Sequence, residues 1–111
     1  MDAITSKEVK VSEFFDIDII DVFTYGEETF GTMAAKSFIA DIYSHIWSLD
    51  VSYLVYPECR FLPTKNKIYR NIILGSYLII YRVTDQRIEI LRILRAECSI
   101  SRIRSTRSIK L

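Results

Sequence analysis

Four arginines stand at set positions within three apolar runs in the second half of the chain. They are Arg70, Arg82, Arg92 and Arg95. A guanidinium group keeps its charge at every physiological pH and binds carboxylate or phosphate groups through paired hydrogen bonds. Arginines on a sheet can therefore bind an anionic partner, stabilise negative charge on a phosphate, or form ion pairs within the protein.

The other residue types that commonly carry chemistry are sparse. The two cysteines, Cys59 and Cys98, and the single histidine, His45, show no metal-site spacing and no disulfide framework. We therefore expect no metal, no cofactor, and free thiols in a reducing cytoplasm. No apolar run reaches the roughly 18 residues of a membrane span. The N-terminus has no apolar signal segment, so the sequence predicts a cytoplasmic protein without membrane contact.

The charge is unevenly distributed, although the net charge of the chain is only +1. Eight of the fourteen acidic residues precede Phe30, whereas five arginines and one lysine stand against Glu97 alone from Arg92 onward. The pattern predicts an acidic first helix and a basic C-terminal end.

The first half of the chain predicts one strand and two helices. Val9–Val11 is a short β-type stretch, and Ser12 is a plausible N-cap for a helix over Glu13–Tyr25. Gly26 is expected to end that helix, and a second helix to start at Thr29 or Thr32. The short link predicts an antiparallel helix hairpin. The apolar stripe of the second helix is formed by Ala35, Phe38, Ile39, Ile42, Ile46 and Leu49.

The second half predicts a three-stranded antiparallel meander after a loop at residues 50–66. The strands are Lys67–Leu74, Tyr77–Val83 and Ile88–Leu94, joined by two-residue turns at Gly75-Ser76 and Asp85-Gln86. These turns place Leu74 opposite Tyr77, Tyr69 opposite Arg82, and Arg82 opposite Glu89.

Alternation of side chains along the predicted strands divides the sheet into two faces. The more apolar face is expected to receive the helices, and it also holds Arg70 and Arg92. We expect these two arginines to form structural ion pairs with Asp16, Asp18 or Asp21 of the first helix. The second, mixed face is expected to meet a partner; it holds Tyr69, Asn71, Ile73, Leu78, Ile80, Arg82, Glu89, Leu91, Ile93 and Arg95.

The expected fold is therefore α+β: an N-terminal strand, and an antiparallel helix hairpin packed on one face of a small antiparallel sheet. At 111 residues we expect a single domain over residues 1–111, in which residues 96–111 form a basic C-terminal tail.

Several segments in order resemble the ParE/RelE superfamily of bacterial toxins from type II toxin–antitoxin systems. VKVSEFFDIDIIDVFTYGEETFG is similar to the strand, first helix and interhelical link of that family, and AAKSFIADIYSHIWSL to the second helix. YRNIILGSYLIIYRV and IEILRIL are similar to the three C-terminal strands. YPECRF stands where the family often has Pro-Glu-x-Gly, here without the glycine.

The resemblance implies a toxin that inhibits growth, serves in plasmid stabilisation and is neutralised in a hetero-oligomer by a cognate antitoxin. Two activities share the fold. ParE-like members inhibit DNA gyrase without cutting nucleic acid, whereas RelE-like members cut mRNA on the ribosome without a metal. A third alternative is a relative that has lost toxicity and persists as a binding module.

The residues favour the ParE-like activity. RNA cleavage without metal needs a base, an acid and positive charge near the scissile phosphate. At the positions that match the RelE-like site stand Tyr69, Asn71 and Leu78, and RelE-like enzymes have an arginine in place of Leu78. Neither tyrosine nor histidine follows Leu94. Only Arg82 and Arg95 remain as catalytic candidates if the chain is RelE-like, so no catalytic residue is firm.

The tail differs from the family pattern. Arg95 stands where many ParE-like members have a histidine, and AECSISRIRSTRSIKL follows it. The tail is expected to be either a solvated, partly disordered segment or a basic arm that contacts gyrase, gyrase-bound DNA or an acidic antitoxin segment. The candidate residues for target or antitoxin binding are Tyr69, Asn71, Arg82, Arg95, Arg102, Arg104 and Arg107.

Overall fold

The computed structural model of the chain describes residues 6–111. The first part consists of strand β1 (Glu8–Val11), helices α1 (Glu13–Phe30) and α2 (Thr32–Trp47), and the single turn α3 (Leu49–Ser52). The second part consists of strands β2 (Tyr69–Leu74), β3 (Tyr77–Val83) and β4 (Arg87–Arg95), the short helix α4 (Ile100–Ser105), and a 3-10 turn at Thr106–Ser108. No helix in the described part is long and apolar enough to cross a membrane.

The sheet has four strands in the order β1-β4-β3-β2. Strands β2, β3 and β4 form the antiparallel meander, which confirms that part of the predicted fold. Strand β1 pairs with β4 in parallel, so the sheet is mixed rather than antiparallel. A parallel neighbour needs a long connection, and the helices and the meander that separate β1 from β4 supply it.

The hairpin between β2 and β3 has the predicted register. Gly75 has a φ of +59°, as the first position of a tight hairpin turn requires. Leu74 faces Tyr77 and Tyr69 faces Arg82. Arg82 also faces Glu89 on β4, as the second predicted turn implies.

A β-bulge interrupts β4 and changes which side its last residues face. Ile80 pairs with Arg92 but the next residue, Tyr81, pairs with Ile90, which leaves Leu91 as the extra residue. Strict alternation therefore gave the wrong faces for the three residues at the end of the strand. Ile93 packs on the helix side, Leu94 packs on the opposite side, and Arg95 lies on the helix side against Tyr25 and Tyr77.

The first helix continues through Gly26, so the prediction that it ends there is wrong. The turn between the helices is Gly31, whose φ is +92°. Gly26 instead packs against α2, because a Cβ atom built on it would lie 3.4 Å from the Cβ of Ala35. The sequence alone does not distinguish a glycine that ends a helix from one that permits close packing of two helices.

Two hydrophobic clusters lie on the two sides of the sheet. The helix-side core is formed by Phe15, Val22, Ile42, Ile46, Leu49, Ile72, Ile79, Tyr81, Ile88, Ile90 and Ile93. The tail-side core is formed by Cys59, Leu62, Tyr69, Leu78, Ile80, Leu91, Leu94, Ile103 and Ile109. Both faces of the sheet are therefore covered.

The C-terminal tail supplies much of that second cover and is not a solvated extension. Ile103, Thr106 and Ile109 are buried and recur at every third residue, the spacing that aligns side chains in a 3-10 helix. Ser99 caps α4, since its hydroxyl accepts a hydrogen bond from the Arg102 N–H at 3.2 Å. The alternating apolar residues of the tail thus pack against the sheet and leave the basic residues outside.

The two interhelical glycines should respond differently to alanine. At Gly26 the added methyl group finds an ordinary contact distance, so Gly26→Ala should raise the free energy of unfolding by about 0.5–1 kcal/mol through helix propensity. At Gly31 the backbone conformation is nearly exclusive to glycine, so Gly31→Ala should lower it by about 1–3 kcal/mol. Urea unfolding measures both, and a loss of stability in Gly26→Ala would show that the two helices leave no room for a methyl group at that position.

Candidate functional site

A buried carboxylate joins the first helix to the bulge in β4. Asp18 accepts two hydrogen bonds from the Arg92 guanidinium, to Oδ2 from Nε and to Oδ1 from Nη2, each 2.7 Å long. Oδ2 also accepts the Ile93 N–H at 3.1 Å, while the Ser12 hydroxyl donates to the Leu91 carbonyl at 2.6 Å. Residues at the start of α1 therefore supply hydrogen-bond partners for the backbone of β4 beyond the end of β1. The hydrogen bond to Asp18 also raises the pKa of Arg92.

Arg70 does not join this pair, although both arginines were expected to bind the acidic first helix. Its Nη1 donates to the Tyr56 carbonyl at 2.7 Å, and within residues 6–111 it has no carboxylate within 4.0 Å. The reason is topological, because Arg70 lies on the edge strand β2 whereas α1 packs on β4. Arg70 instead fixes the loop that runs along the β2 edge.

A second group of charges lies on the other side of the sheet, beneath the tail. The Glu89 carboxylate is 5% exposed and accepts hydrogen bonds from Arg82 Nε at 2.6 Å and Arg87 Nε at 2.8 Å. Burial raises the pKa of Glu89, but the bonds from the two guanidinium groups outweigh burial and leave it below its ordinary value. The group is therefore an ionised cluster, and its charges are already satisfied within the protein.

Arg82 donates hydrogen bonds to three different groups. Besides Glu89, it donates to the Tyr69 hydroxyl at 3.3 Å and to the Ile109 carbonyl of the tail at 2.8 Å. Tyr69 in turn donates to the Arg107 carbonyl at 3.5 Å. The tail thus uses backbone carbonyls to hold two of the side chains that the sequence placed on an open face.

Most of the face that was expected to meet a partner is covered, although Ile73 near the end of β2 is 70% exposed. Tyr69, Asn71 and Leu78 are 5%, 8% and 9% exposed, beneath α4 and the loop at residues 57–62. The expectation failed because the apolar residues of the tail were not assigned to this face. Their spacing, and Ser99 as an N-cap, are the sequence signals that indicate the tail helix.

Arg95 occupies a different place, at the rim of a cavity of about 410 Å³ between α1, the end of β4 and the start of the tail. Its guanidinium lies 4.0 Å from the centre of the Tyr25 ring and 5.6 Å from that of Tyr77. The Arg95 hydrogen bond, and a second one from Thr29, lower the pKa of Tyr25. Sequence reasoning missed Tyr25, because only the bulge directs Arg95 toward α1.

The remaining candidate residues are divided between two places. Arg102 lines the Arg95 cavity together with Glu97, whose carboxylate lies 3.5 Å from Arg95. Arg104 is exposed on α4, and Arg107 lies over the Tyr69 ring with its Nη2 3.5 Å from the Pro63 carbonyl. Among the described residues, no group of three or more acidic, histidine or cysteine side chains is placed to hold a metal ion.

The Glu89 cluster makes stability depend on acid pH. A carboxyl group whose pKa is lower in the folded state stabilises the protein above its unfolded value, about 4.3, and loses that contribution as pH falls through the folded pKa. We expect Glu89→Gln to be less stable than wild type at pH 7 by about 3 kcal/mol. The difference should begin to shrink as pH falls below about 4.3 and should close only below the lowered folded pKa. Urea unfolding at pH 7 and at a series of acid pH values measures the difference, and a gap independent of pH would contradict the ionised cluster.

The Asp18–Arg92 pair should behave as a buried ion pair. Asp18→Asn leaves the Arg92 guanidinium without its counterion and should lower the free energy of unfolding by about 3–5 kcal/mol. The double variant Asp18→Leu with Arg92→Met buries no unpaired charge and should be more stable than Asp18→Asn. Urea unfolding of wild type, these two variants and the single variant Arg92→Met tests this, and an Arg92→Met protein as stable as wild type would contradict the structural role of the pair.

Comparison with known proteins gives a family and a related structure. Residues 9–98 match the family described as "ParE toxin of type II toxin-antitoxin system, parDE". A solved structure described as "Chromosomal ParDE TA system from P. aeruginosa" is similar in fold, with a TM-score of 0.68 and 20% sequence identity. The match covers 84% of this chain and 99% of that chain. No curated protein matches the sequence. Since the family match spans most of the sequence, from the first strand to the end of the meander, the chain belongs to the ParE toxin family of type II toxin–antitoxin systems.

Proposed function

We propose that the protein is the toxin of a type II pair that inhibits growth by binding DNA gyrase, and that it does not cut nucleic acid. It acts in the cytoplasm and is neutralised by a cognate antitoxin in a hetero-oligomer. The observation that carries this proposal is the coverage of the second sheet face by the tail. In the RelE-like alternative, that face would have to be open to mRNA.

The chemistry of the covered face argues against ribosome-dependent cleavage. Arg82 is already bound to Glu89, Tyr69 and the tail, so it is not free to stabilise a phosphate. Leu78 offers no polar group, and Arg95 faces the other side of the sheet. Within the described residues, that face presents no free cation beside an exposed acid–base pair, which the metal-independent reaction requires.

The Arg95 cavity is the surface we propose for the target. It is open to solvent and brings together Arg95, Arg102 and the half-exposed Tyr25. Arginine and tyrosine are the side chains that most often dominate the binding energy of protein interfaces. This cavity also lies where the final strand meets the tail, the segment that was expected to contact gyrase if it forms a basic arm.

The antitoxin is proposed to bind the outer face of the helices rather than the sheet. Phe14, Ile17 and Ile20 of α1 and Trp47 of α2 are each about half exposed or more. Exposed apolar residues of this size mark protein contacts when they lie near one another. The two helices carry seven acidic residues and one lysine, so an antitoxin segment with apolar and basic residues is the complementary partner.

The target can be identified by inducing the protein in a bacterium that lacks the cognate antitoxin. Labelled precursors report DNA synthesis and protein synthesis after induction. We expect DNA synthesis to stop first, because a gyrase inhibitor blocks replication before translation. Arg95→Gln should need at least tenfold more expression for the same inhibition, since it removes a charged anchor worth about 1.4 kcal/mol or more.

Lys36→Gln is the control, because it removes an exposed cation on α2, away from the Arg95 cavity. It should inhibit growth as strongly as the wild-type protein. Earlier arrest of protein synthesis would identify the ribosome as the target and contradict the proposal. Continued growth with both syntheses unaffected would show that this protein is not toxic, which also contradicts it.

A further inference from the structure

The sheet separates two layers of opposite charge. The tail-side layer consists of residues 57–68 and 96–111, and it carries seven lysines and arginines against two glutamates. The helix layer, α1 and α2, carries seven acidic residues against one lysine. The net charge of +1 therefore conceals a strongly polarised molecule. A surface potential of this kind directs a charged partner to one side.

Within residues 6–111, the cations of the tail-side layer have no carboxylate partners. No lysine or arginine of the layer lies within 4.0 Å of a carboxylate in the described chain, whereas Arg82, Arg87, Arg92 and Arg95 of the sheet all do. The cations of the layer are Arg60, Lys65, Lys67, Arg102, Arg104, Arg107 and Lys110, and every one is exposed. Internal ion pairing accordingly does not account for this accumulation of positive charge.

The surface chemistry favours a polyanion over a protein partner. Of the twelve large hydrophobic residues that are exposed in the described chain, ten lie within residues 13–55, and the tail side of the sheet has only Ile100 and Ile73 of β2. Protein interfaces need clustered apolar and aromatic anchors, and this side offers two exposed isoleucines and, among the described residues, no exposed aromatic side chain. Exposed Lys and Arg without such anchors are instead typical of contact with nucleic-acid phosphates.

The positions of the exposed aromatic residues favour a duplex over a single-stranded nucleic acid as the partner. Proteins that bind single strands stack the bases on exposed aromatic side chains. The exposed aromatic residues here are Phe14, Tyr25, Phe30 and Trp47, and all of them belong to the helix layer. The tail-side layer offers charge without a stacking surface, which suits the paired backbone of a duplex.

We propose that the tail-side layer binds the phosphate backbone of duplex DNA without reading its sequence. Lysine and arginine side chains of the tail and of the loop at residues 57–68 contact phosphates, and the released counterions supply the binding free energy. This activity does not require gyrase inhibition or the antitoxin. It can therefore fail while the toxin function holds, and the reverse is equally possible.

The test measures fluorescence anisotropy of a labelled duplex of about 20 base pairs, titrated with the full chain between about 50 and 200 mM salt. We expect log K to fall with log salt at a slope of about −3 or steeper, because several phosphates are contacted. Lys65→Glu and Arg104→Glu should each weaken binding at low salt and make the slope shallower by about 1.

Lys36→Glu is the matched control, since it makes the same change of net charge at an exposed lysine on the opposite layer. It should bind the duplex as wild type does. Equal losses in Lys36→Glu and Lys65→Glu, or wild-type binding that does not depend on salt, would overturn the proposal. So would tighter binding to the single strand, or binding to poly-L-glutamate but not to the duplex, which would assign the layer to an acidic protein segment.

Discussion

The Asp18 carboxylate is the point on which the arrangement of helices and sheet depends. It sits on α1 and holds both the Arg92 guanidinium and the Ile93 N–H at the bulge in β4. A bulge leaves a strand with an extra residue and a disrupted ladder, so its polar groups need partners from outside the sheet. Asp18, together with the cap residue Ser12, provides them. The contact fixes α1 against β4 and stabilises the bulge, so that Arg95 lies on the helix side of the sheet.

The tail decides what the other face of the sheet can do. Without it, Tyr69, Arg82 and Leu78 would lie on an open surface. With it, the apolar groups are buried, and Arg82 is held between Glu89 and the Ile109 carbonyl. The same residues, 96–111, cover this surface and expose three arginines and one lysine to solvent. One segment therefore removes one potential site and creates a charged surface of another kind.

The distribution of chemistry over the molecule follows from this layering. Exposed apolar residues and acids are concentrated on the helices, whereas unpaired cations are concentrated on the tail-side layer. The Arg95 cavity lies at the boundary, where α1, the last strand and the tail meet. The surfaces proposed for an antitoxin and for a polyanion lie on opposite sides of the sheet, and the proposed target surface lies between them.

The sequence by itself determined the order and type of the main elements, the tight hairpin at Gly75 and the pairing of Arg82 with Glu89. These features depend on local periodicity and turn chemistry, which are contained in short stretches of sequence. Only the tertiary structure decided that Gly26 packs against Ala35 rather than ending a helix, that β1 pairs in parallel, and which face Arg95 and the tail take. Each of these depends on contacts between residues distant in the chain. A single extra residue at the bulge changes the face of Ile93, Leu94 and Arg95, and no local pattern records where that residue is inserted.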